Sequence, residues 1–446
     1  MKTNLRIIAL TIFLFVSASY SQWTYCPGSV EMTGLGSFPY ISIVDQNTAW
    51  VAGGIGGAPK VYRTTNGGLN FINSAGNLTG PEFYAIWAVD ASTCIVGDGG
   101  SSGGTGGNAK IWRTSNGGAN WTNVLTTGGT AGFFNGISGV LLNRNIAYAQ
   151  SDAPSGSSIF WAKTTDGGII WQTGSTSTGG SVGIAGSVWC SSEQIFGYGI
   201  NGFARVVYST DGGSNFSAGN LSVSGTATSG FSAFHTGAFM LAATTTSLPN
   251  ISRSTNNGVS WTNVNVGGTI SGTCVIKYVQ GTSTSYLLGL AGTNPMRKSV
   301  DNGTTWTTMT TAGITGLNDM SFMLSTPIVY GYAISNNGSV IKLAENITLG
   351  ISIINNSIPE NYSLEQNYPN PFNPLTKINF SIPGSGHVSM KVYNSNGESI
   401  SELINSELAA GNYSVDFNGE NLSSGIYFYV LNAGKFSQTN KMILMK

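Results

Sequence analysis

One short segment recurs six times along the chain and constrains the fold more than any other feature of the sequence. Its clearest copies read VYRTTNGGLNF (61–71), IWRTSNGGANW (111–121) and WAKTTDGGIIW (161–171). We call this segment the box. Its acid or amide residues, spaced by 50, 50, 45, 45 and 45 residues, are Asn66, Asn116, Asp166, Asp211, Asn256 and Asp301. A repeat of roughly this length, with strand-like segments around each box, predicts β-propeller blades of four strands each.

A seventh repeat follows the six boxes. Another 45 residues lead to Asn346 in IKLAENI, where the box has decayed, although the preceding YGYAISNNGSVIKL keeps the strand pattern. This repeat lacks a fourth strand, and residues 22–25 (QWTY) match the fourth strand that begins at Trp121. We therefore predict an all-β chain in which residues 22–349 form a seven-bladed propeller. Residues 22–27 would supply the outer strand of blade 7.

The composition supports this fold class and excludes several others. The 19 basic and 19 acidic residues give a net charge of +0, so a nucleic-acid partner is not expected. Charged residues are 9% of the chain, too few for a coiled coil, and the 41% hydrophobic content is too high for disorder. The 62 glycines fit many short strands joined by tight turns.

The N-terminal segment has the order of a secretory signal peptide. Lys2 and Arg6 precede the apolar run IIALTIFLFV, and small residues follow at Ser19 and Ser21. We expect residues 1–21 to be a signal peptide that directs export to the periplasm. The apolar run is too short for a membrane anchor, and no stable membrane span is expected.

The C-terminal segment predicts a small second domain. Residues 362–446 alternate between apolar and polar positions and carry an Asn-Gly hairpin signal, which predicts a small Ig-like antiparallel β-sandwich. Residues 350–361 would be a linker. The segments YPNPFNP, SSGIYFY and KMILMK resemble the C-terminal sorting domain of the type IX secretion system of Bacteroidetes-like bacteria. The resemblance implies the type IX machinery as a partner, and a secreted or outer-surface location.

The box chemistry is local and structural. Asn or Asp in such a hairpin accepts hydrogen bonds from main-chain N–H groups, and Gly adopts positive φ. Three of the six box residues are Asn, and the residues recur once per blade, so we interpret them as scaffold. The pattern resembles the Asp-box, or bacterial neuraminidase repeat. IVDQNTAWVAG (43–53) and AVDASTCIVG (88–97) further resemble photosystem II assembly-factor-like propellers. Both resemblances imply a propeller fold.

Glycoside hydrolysis is the enzymatic hypothesis. The chain lacks the arginine set and the Arg-Ile-Pro segment of sialidases, so sialidase activity is not expected. A glycosidase needs a carboxylate pair. Acids outside the repeat pattern, on the face opposite the boxes, are Glu82, Asp98, Asp152 and Asp319. Asp98 and Asp152 lie in loops of adjacent blades and are the candidate pair; the alternative is that they are solvated loop acids.

Binding without catalysis is the leading hypothesis. The four cysteines share no metal-ligand spacing and the two histidines lie in different predicted domains, so neither a metal nor a cofactor is expected. Phe83, Tyr84 and Trp87 lie near the predicted open face, where they could stack on a glycan or a protein partner; the alternative is that they pack in the blade core, as most aromatic residues of this chain should. We therefore expect an exported, non-catalytic binding module. A polysaccharide-active glycoside hydrolase is the alternative.

Overall fold

The computed structural model describes most of the chain after the predicted signal peptide. Residues 1–21, for which the signal peptide is predicted, lie outside the described residues. The description covers residues 23–446 without 56–57, 101–107, 130, 142, 156, 179, 181, 226–227, 234–238, 245–247, 257, 271–273, 281, 290–295, 326–327, 347–350, 356–358, 385, 409 and 420–421.

The first part of the described chain forms blades 1 to 3 after a short leading strand. The leading elements are β1 (Thr24–Tyr25) and the 3-10 helix Pro27–Glu31. Blade 1 contains β2 (Tyr40–Ile43), β3 (Ala49–Ile55), β4 (Ala58–Thr64) and β5 (Ile72–Asn73). Blade 2 contains β6 (Phe83–Ala88), β7 (Cys94–Asp98), β8 (Lys110–Thr114) and β9 (Thr122–Thr126). Blade 3 contains β10 (Phe134–Val140), β11 (Asn143–Ser151), β12 (Ile159–Thr164) and β13 (Gln172–Thr176).

Four further antiparallel sheets follow in the same order. Blade 4 contains β14 (Gly183–Cys190), β15 (Phe196–Ile200), β16 (Arg205–Ser209) and β17 (Ser217–Asn220). Blade 5 contains β18 (Thr228–Ala233), β19 (Met240–Thr244), β20 (Leu248–Ser254) and β21 (Thr262–Ile270). Blade 6 contains β22 (Cys274–Tyr278), β23 (Ser285–Gly289), β24 (Arg297–Ser299) and β25 (Thr307–Thr308). Blade 7 contains β26 (Leu317–Ser325), β27 (Ile328–Ser335), β28 (Val340–Asn346) and the leading strand β1. The predicted all-β, seven-bladed propeller is confirmed.

The strand order gives the propeller two different faces. The first strand of each blade is innermost, and the first strand of blade 1 lies beside that of blade 7, which closes the ring. We call the face that carries the first-to-second and third-to-fourth strand turns the box face. The opposite face carries the second-to-third strand turns and the connections between blades, and we call it the channel face. Every blade contributes loops to the channel face. Because loops tolerate sequence change better than strands, the sequence of this face can vary as a binding site requires.

The N-terminal strand closes the ring as the sequence match predicted. Thr24 pairs with Lys342 and Tyr25 pairs with Ile341, both antiparallel. The next residue, Cys26, extends the pairing by donating its N–H to the carbonyl of Val340 at 2.9 Å. This strand covers the edge that β28 would otherwise expose to another chain.

The six boxes share one hydrogen-bond pattern. In blade 1 the hydroxyl of Thr64 donates to Asn66 Oδ1 at 3.0 Å and accepts the N–H of Gly68 at 2.9 Å. Asn66 Oδ1 then accepts the N–H of Asn70 at 3.1 Å. The same hydroxyl-to-box hydrogen bond recurs at Asn116, Asp166, Asp211, Asn256 and Asp301. Asp and Asn therefore serve equally well, because the turn needs only an acceptor oxygen.

Basic residues next to the boxes join neighbouring blades. Four of them, all at the same repeat position, donate to a main-chain carbonyl in a box turn of the following blade. The donor and acceptor pairs are Arg113 to Gly167, Lys163 to Gly212, Arg253 to Asn302, and Lys342 to Gly67. The recurrence of Arg and Lys at this position thus has a structural cause, and it leaves few basic residues for a ligand.

The C-terminal part forms two four-stranded sheets, as predicted for a sandwich. One sheet contains β29 (Ile351–Asn355), β34 (Gly411–Asn418), β31 (Leu375–Ile382) and β30 (Ser363–Leu364). The other contains β33 (Ser399–Leu408), β32 (Gly386–Asn394), β35 (Gly425–Ala433) and β36 (Phe436–Leu444). The stretch 350–361, predicted to be a linker, is in part a strand, because β29 pairs with the edge of β34.

Candidate binding site on the channel face

The inner strands surround a cavity that is closed at the box face. Gln280, in the turn after β22, reaches across to blades 3 and 4. Its Oε1 accepts the N–H of Leu141 at 2.6 Å, and its Nε2 donates to the carbonyls of Gly139 at 3.3 Å and Cys190 at 3.1 Å. The cavity, which begins at Gln280, has a volume of about 90 Å³. This volume holds several water molecules, since each needs roughly 10–15 Å³. A ligand of this cavity would therefore enter from the channel face.

An ion pair lies in the wall of this cavity. Asp319 of blade 7 and Lys277 of blade 6 are 3.5 Å apart between Oδ1 and Nζ. Asp319 is buried, and its Oδ2 accepts the N–H of Ile41 in blade 1 at 3.0 Å. Asp319 thus helps to join blades 6, 7 and 1. Its carboxylate is already committed to a cation and a main-chain donor.

Asp98, one of the two candidate catalytic acids, is only 2% exposed at the end of β7. Its Oδ1 accepts the N–H groups of Gly100 at 3.1 Å and Lys110 at 2.8 Å, and its Oδ2 accepts the indole N–H of Trp112 at 3.1 Å. Burial raises the pKa of the Asp98 carboxyl, and these hydrogen bonds oppose the rise. The contacts tie together the two ends of the loop between β7 and β8.

Asp152, the other candidate, follows β11 on the same face and is half-buried. Its Oδ1 accepts the side-chain amide of Asn135 at 2.6 Å and the N–H of Gly183 at 2.8 Å, which links blade 3 to blade 4. Burial raises the pKa of the Asp152 carboxyl, and both hydrogen bonds oppose the rise. The hydrogen bonds of Asp98 and Asp152 involve different partners and different loops.

The predicted aromatic residues divide into exposed and buried positions. Tyr84 is half-buried at the mouth of the cavity, and its hydroxyl donates to Glu82 Oε2 at 2.8 Å. Burial, and to a smaller extent this hydrogen bond, raises the pKa of Tyr84 to about 12. The phenol therefore stays protonated and remains a hydrogen-bond donor. Phe83 and Trp87 are only 1% and 6% exposed because they pack between blades, which agrees with the alternative that they belong to the blade core. Trp87 still contributes to the cavity wall.

Phe133, which the repeat pattern does not predict, completes the mouth of the cavity. Phe133, just before β10, lies with its ring centroid 4.6 Å from that of Tyr84. Beside the pair runs a groove of about 420 Å³ between blades 1 and 2, with Phe38 and Glu82 in its lining. Phe38 is 59% exposed. Phe133 stands alone outside the repeat pattern, so the sequence carried no signal for it.

The described part of the chain contains no group of three or more His, Cys, Asp or Glu side chains placed to hold a metal ion. The four cysteines are all buried, and no disulfide joins them: Cys26, Cys94, Cys190 and Cys274. They have the small-hydrophobe role that is usual for free cysteine. Among the described residues, no helix has the length and apolar character needed to cross a membrane.

The C-terminal sandwich is a sorting domain of the type IX secretion system. Residues 366–445 match the family model described as a secretion system C-terminal sorting domain. This match indicates export by the type IX route to the cell surface or the extracellular space. The predicted machinery partner and location agree with it at this level.

Comparisons of structure identify the remainder as a β-propeller. A structure of YCF48 bound to D1 peptide is similar with a TM-score of 0.52 and 16% identity, covering 73% of this chain and 98% of that chain. A chain of the mitotic checkpoint complex has a TM-score of 0.50 and 13% identity, covering 78% and 98%. An ancestral GH74 enzyme has a TM-score of 0.49 and 14% identity, covering 94% and 63%. At these identities the likeness concerns the fold alone. No curated protein matches the sequence.

Proposed function

We propose that the protein is an exported propeller that binds its ligand on the channel face without catalysing a reaction. The observation that carries this proposal is the state of the acids there. Asp98 accepts three hydrogen bonds, Asp152 accepts two, and Asp319 is paired with Lys277. A general acid and base must instead be placed to exchange protons with a substrate. The acids on this face hold loops and blades together.

The export route of the proposal has two stages. The predicted signal peptide, residues 1–21, would carry the chain to the periplasm, and the sorting domain would then take it through the type IX machinery. We further assign the boxes to the Asp-box type. Their shared hydrogen bonds in six blades support this assignment.

A binding screen with a matched pair of variants tests the proposal. The mature chain would be applied to arrays of glycans and of peptides, and each ligand that binds would then be tested for turnover. Lys277→Met removes the half-buried ammonium group of the one basic residue among the described residues that line the cavity, and we expect it to weaken about tenfold the binding of a ligand that enters the cavity. Lys391→Met, which breaks the 3.3 Å pair with Glu402 in the sandwich, is the control and should leave binding unchanged. Turnover of a bound ligand, or the absence of binding to every glycan and peptide on the arrays, would contradict the proposal. Equal affinity in both variants would place the ligand on the channel face outside the cavity.

Glycoside hydrolysis remains the second candidate because of one observation. Burial raises the pKa of both Asp98 and Asp152, and a raised pKa is what a carboxyl general acid requires. If this candidate is correct, the wild type will release reducing ends from polysaccharides, and Asp98→Asn and Asp152→Asn will each abolish the release. Absence of reducing-end release from the wild type across a panel of plant, fungal and bacterial polysaccharides would exclude it.

A further inference from the structure

We propose that Glu82, Tyr84, Phe133 and Asp152 form a binding strip for neutral oligosaccharides across blades 2 and 3 of the channel face. The proposal rests on the proposed binding function and names its ligand class. Neither a repeat nor a hydrogen bond of the scaffold explains why two aromatic rings lie together at this point of the surface. Their setting points to a ligand with a flat apolar face and a polar edge.

The two rings form a rigid platform. Tyr84 and Phe133 are both half-buried, with centroids 4.6 Å apart and ring planes inclined at 43°. The main chain of Gly99 lies directly against them, since a Cβ atom at that position would come within 2.9 Å of each ring. The hydroxyl of Tyr84 is fixed by its 2.8 Å hydrogen bond to Glu82. Because the rings are already ordered, a ligand that stacks on them loses little additional conformational entropy.

Two oriented carboxylates flank this platform. Glu82 is held by the Tyr84 hydroxyl, and Asp152 is held by Asn135 and by the N–H of Gly183. An ionised carboxylate offers about four acceptor positions and no donor, so the two hydrogen bonds that hold Asp152 leave it able to accept further donors. Sugar hydroxyls are such donors, and they project from the rim of a ring whose faces carry C–H groups. The platform and its flanking acceptors match that arrangement.

The charge of the strip selects against acidic sugars. Glu82 and Asp152 are both acidic, and the nearby Lys277 is paired with Asp319. A uronate or sulfate group placed here would meet two carboxylates with no unpaired cation among the described residues that line the cavity and the groove. We therefore assign neutral rather than anionic glycans.

The adjoining groove sets the length of the ligand. It has a volume of about 420 Å³, it shares Tyr84 and Glu82 with the strip, and Phe38 is exposed along it. Ligand pockets of small molecules begin at about 300 Å³. A chain of several sugars would thus occupy the platform and continue toward blade 1 along Phe38.

Calorimetric titration of the mature chain tests the proposal with defined probes. The probes are cellohexaose, xylohexaose, mannohexaose and laminarihexaose, with hexagalacturonate as the anionic counterpart. We expect at least one neutral hexasaccharide to bind and hexagalacturonate not to bind. Tyr84→Ala and Phe133→Ala should each reduce the affinity about tenfold or more. Glu82→Gln preserves the side-chain shape and should weaken binding without a loss of folding, which thermal melting would verify.

The matched control is Phe203→Ala. Phe203 is an exposed aromatic residue of the same propeller, in the turn between β15 and β16 of blade 4, outside the strip. Its substitution should leave the affinity unchanged. If no neutral hexasaccharide binds while a peptide from the array does, the glycan assignment is overturned and the binding function stands. Neutral-glycan binding that survives all three strip variants places the site elsewhere and also overturns the proposal. Hydrolysis of a bound hexasaccharide contradicts the non-catalytic function instead.

Discussion

Lys342 Nζ donates a 2.6 Å hydrogen bond to the carbonyl oxygen of Gly67, which joins the third strand of blade 7 to the box turn of blade 1. The main chain of the same lysine pairs with Thr24 in the N-terminal strand. Closure of the ring therefore has two components at one residue. The main chain holds the outer strand, and the side chain holds the neighbouring blade.

Lys342→Met should weaken this closure without changing the fold. The substitution keeps most of the aliphatic stem but removes a charged donor, and such hydrogen bonds contribute about 1.5–3 kcal/mol. We expect the free energy of unfolding to fall by about 1–2 kcal/mol, because Lys342 is only half-buried. Chemical denaturation of the wild type and the variant measures the difference. Lys391→Met is a suitable control, since its ion pair is exposed and should contribute less than about 1 kcal/mol.

The propeller was predictable because its signals recur. Each box repeats the same turn chemistry, so the spacing of Asn66 and Asn116 already implies a blade of four strands. The N-terminal outer strand of blade 7 was predictable for a related reason, since Trp23 and Thr24 repeat the sequence pattern of the fourth strand in other blades. The recurrence of Arg or Lys beside the boxes was also visible in the sequence. Its role in joining blades could not be predicted, because the carbonyl that Arg113 contacts belongs to the next blade.

Acid should affect the boxes with Asp differently from those with Asn. The N–H of Asn215, the side chain of Asn215 and the hydroxyl of Ser209 donate to Asp211 and hold its pKa below the usual 3.8. A lowered pKa gives stability that is present above the unfolded-state value and lost as the pH falls through the folded-state value. The wild type should therefore lose Tm relative to Asp211→Asn below about pH 4.

Thermal melting between pH 5 and pH 2.5 measures this difference. Asn256→Asp is the reciprocal variant, because Asn256 occupies the same position in blade 5 and accepts the N–H of Ser260 at 2.9 Å. It should acquire the acid sensitivity that Asp211→Asn loses. A constant Tm difference between wild type and Asp211→Asn at every pH would show that the box carboxylate does not titrate with folding.

Gln280→Ala should open the floor of the cavity. The amide of Gln280 bonds to three main-chain groups in blades 3 and 4, and the N–H of Leu141 would lose its acceptor. An unsatisfied buried donor costs about 1–3 kcal/mol. We expect a fall in unfolding free energy of that size and stronger acrylamide quenching of the tryptophans that line the cavity. Gln194→Ala, at an exposed glutamine of blade 4, should change neither measurement.

The parts of the site that the sequence did not predict are those without a repeat. Gln280 closes the cavity through contacts between residues 90 and 141 positions apart, which no local pattern records. Phe133 meets Tyr84 only because blades 2 and 3 bring their first strands together. Asp98 and Asp152 lie on adjacent blades, but Asp98 is the last residue of β7 and is buried there instead of lying in a solvated loop. The hydrogen bonds of both acids depend on three-dimensional packing.

Trp23→Ala should lower the stability of the protein more than Lys342→Met or Gln280→Ala. Trp23 is 3% exposed and meets Phe322 edge-on at a centroid distance of 5.9 Å, so its removal leaves a hole beside the closing strand. Losing a buried Trp costs about 3–5 kcal/mol, against a total stability of about 5–15 kcal/mol for a domain. The variant should melt far below the wild type and should aggregate through the exposed edge of β28.

Trp23→Phe keeps a ring and should recover most of the loss, because the indole N–H has no hydrogen-bond partner among the described residues. Tyr25→Ala, at an exposed position of the same strand, should cost less than about 1 kcal/mol. If the Tm of Trp23→Ala equals that of Tyr25→Ala instead of lying far below it, side-chain packing of this strand does not hold the ring closed.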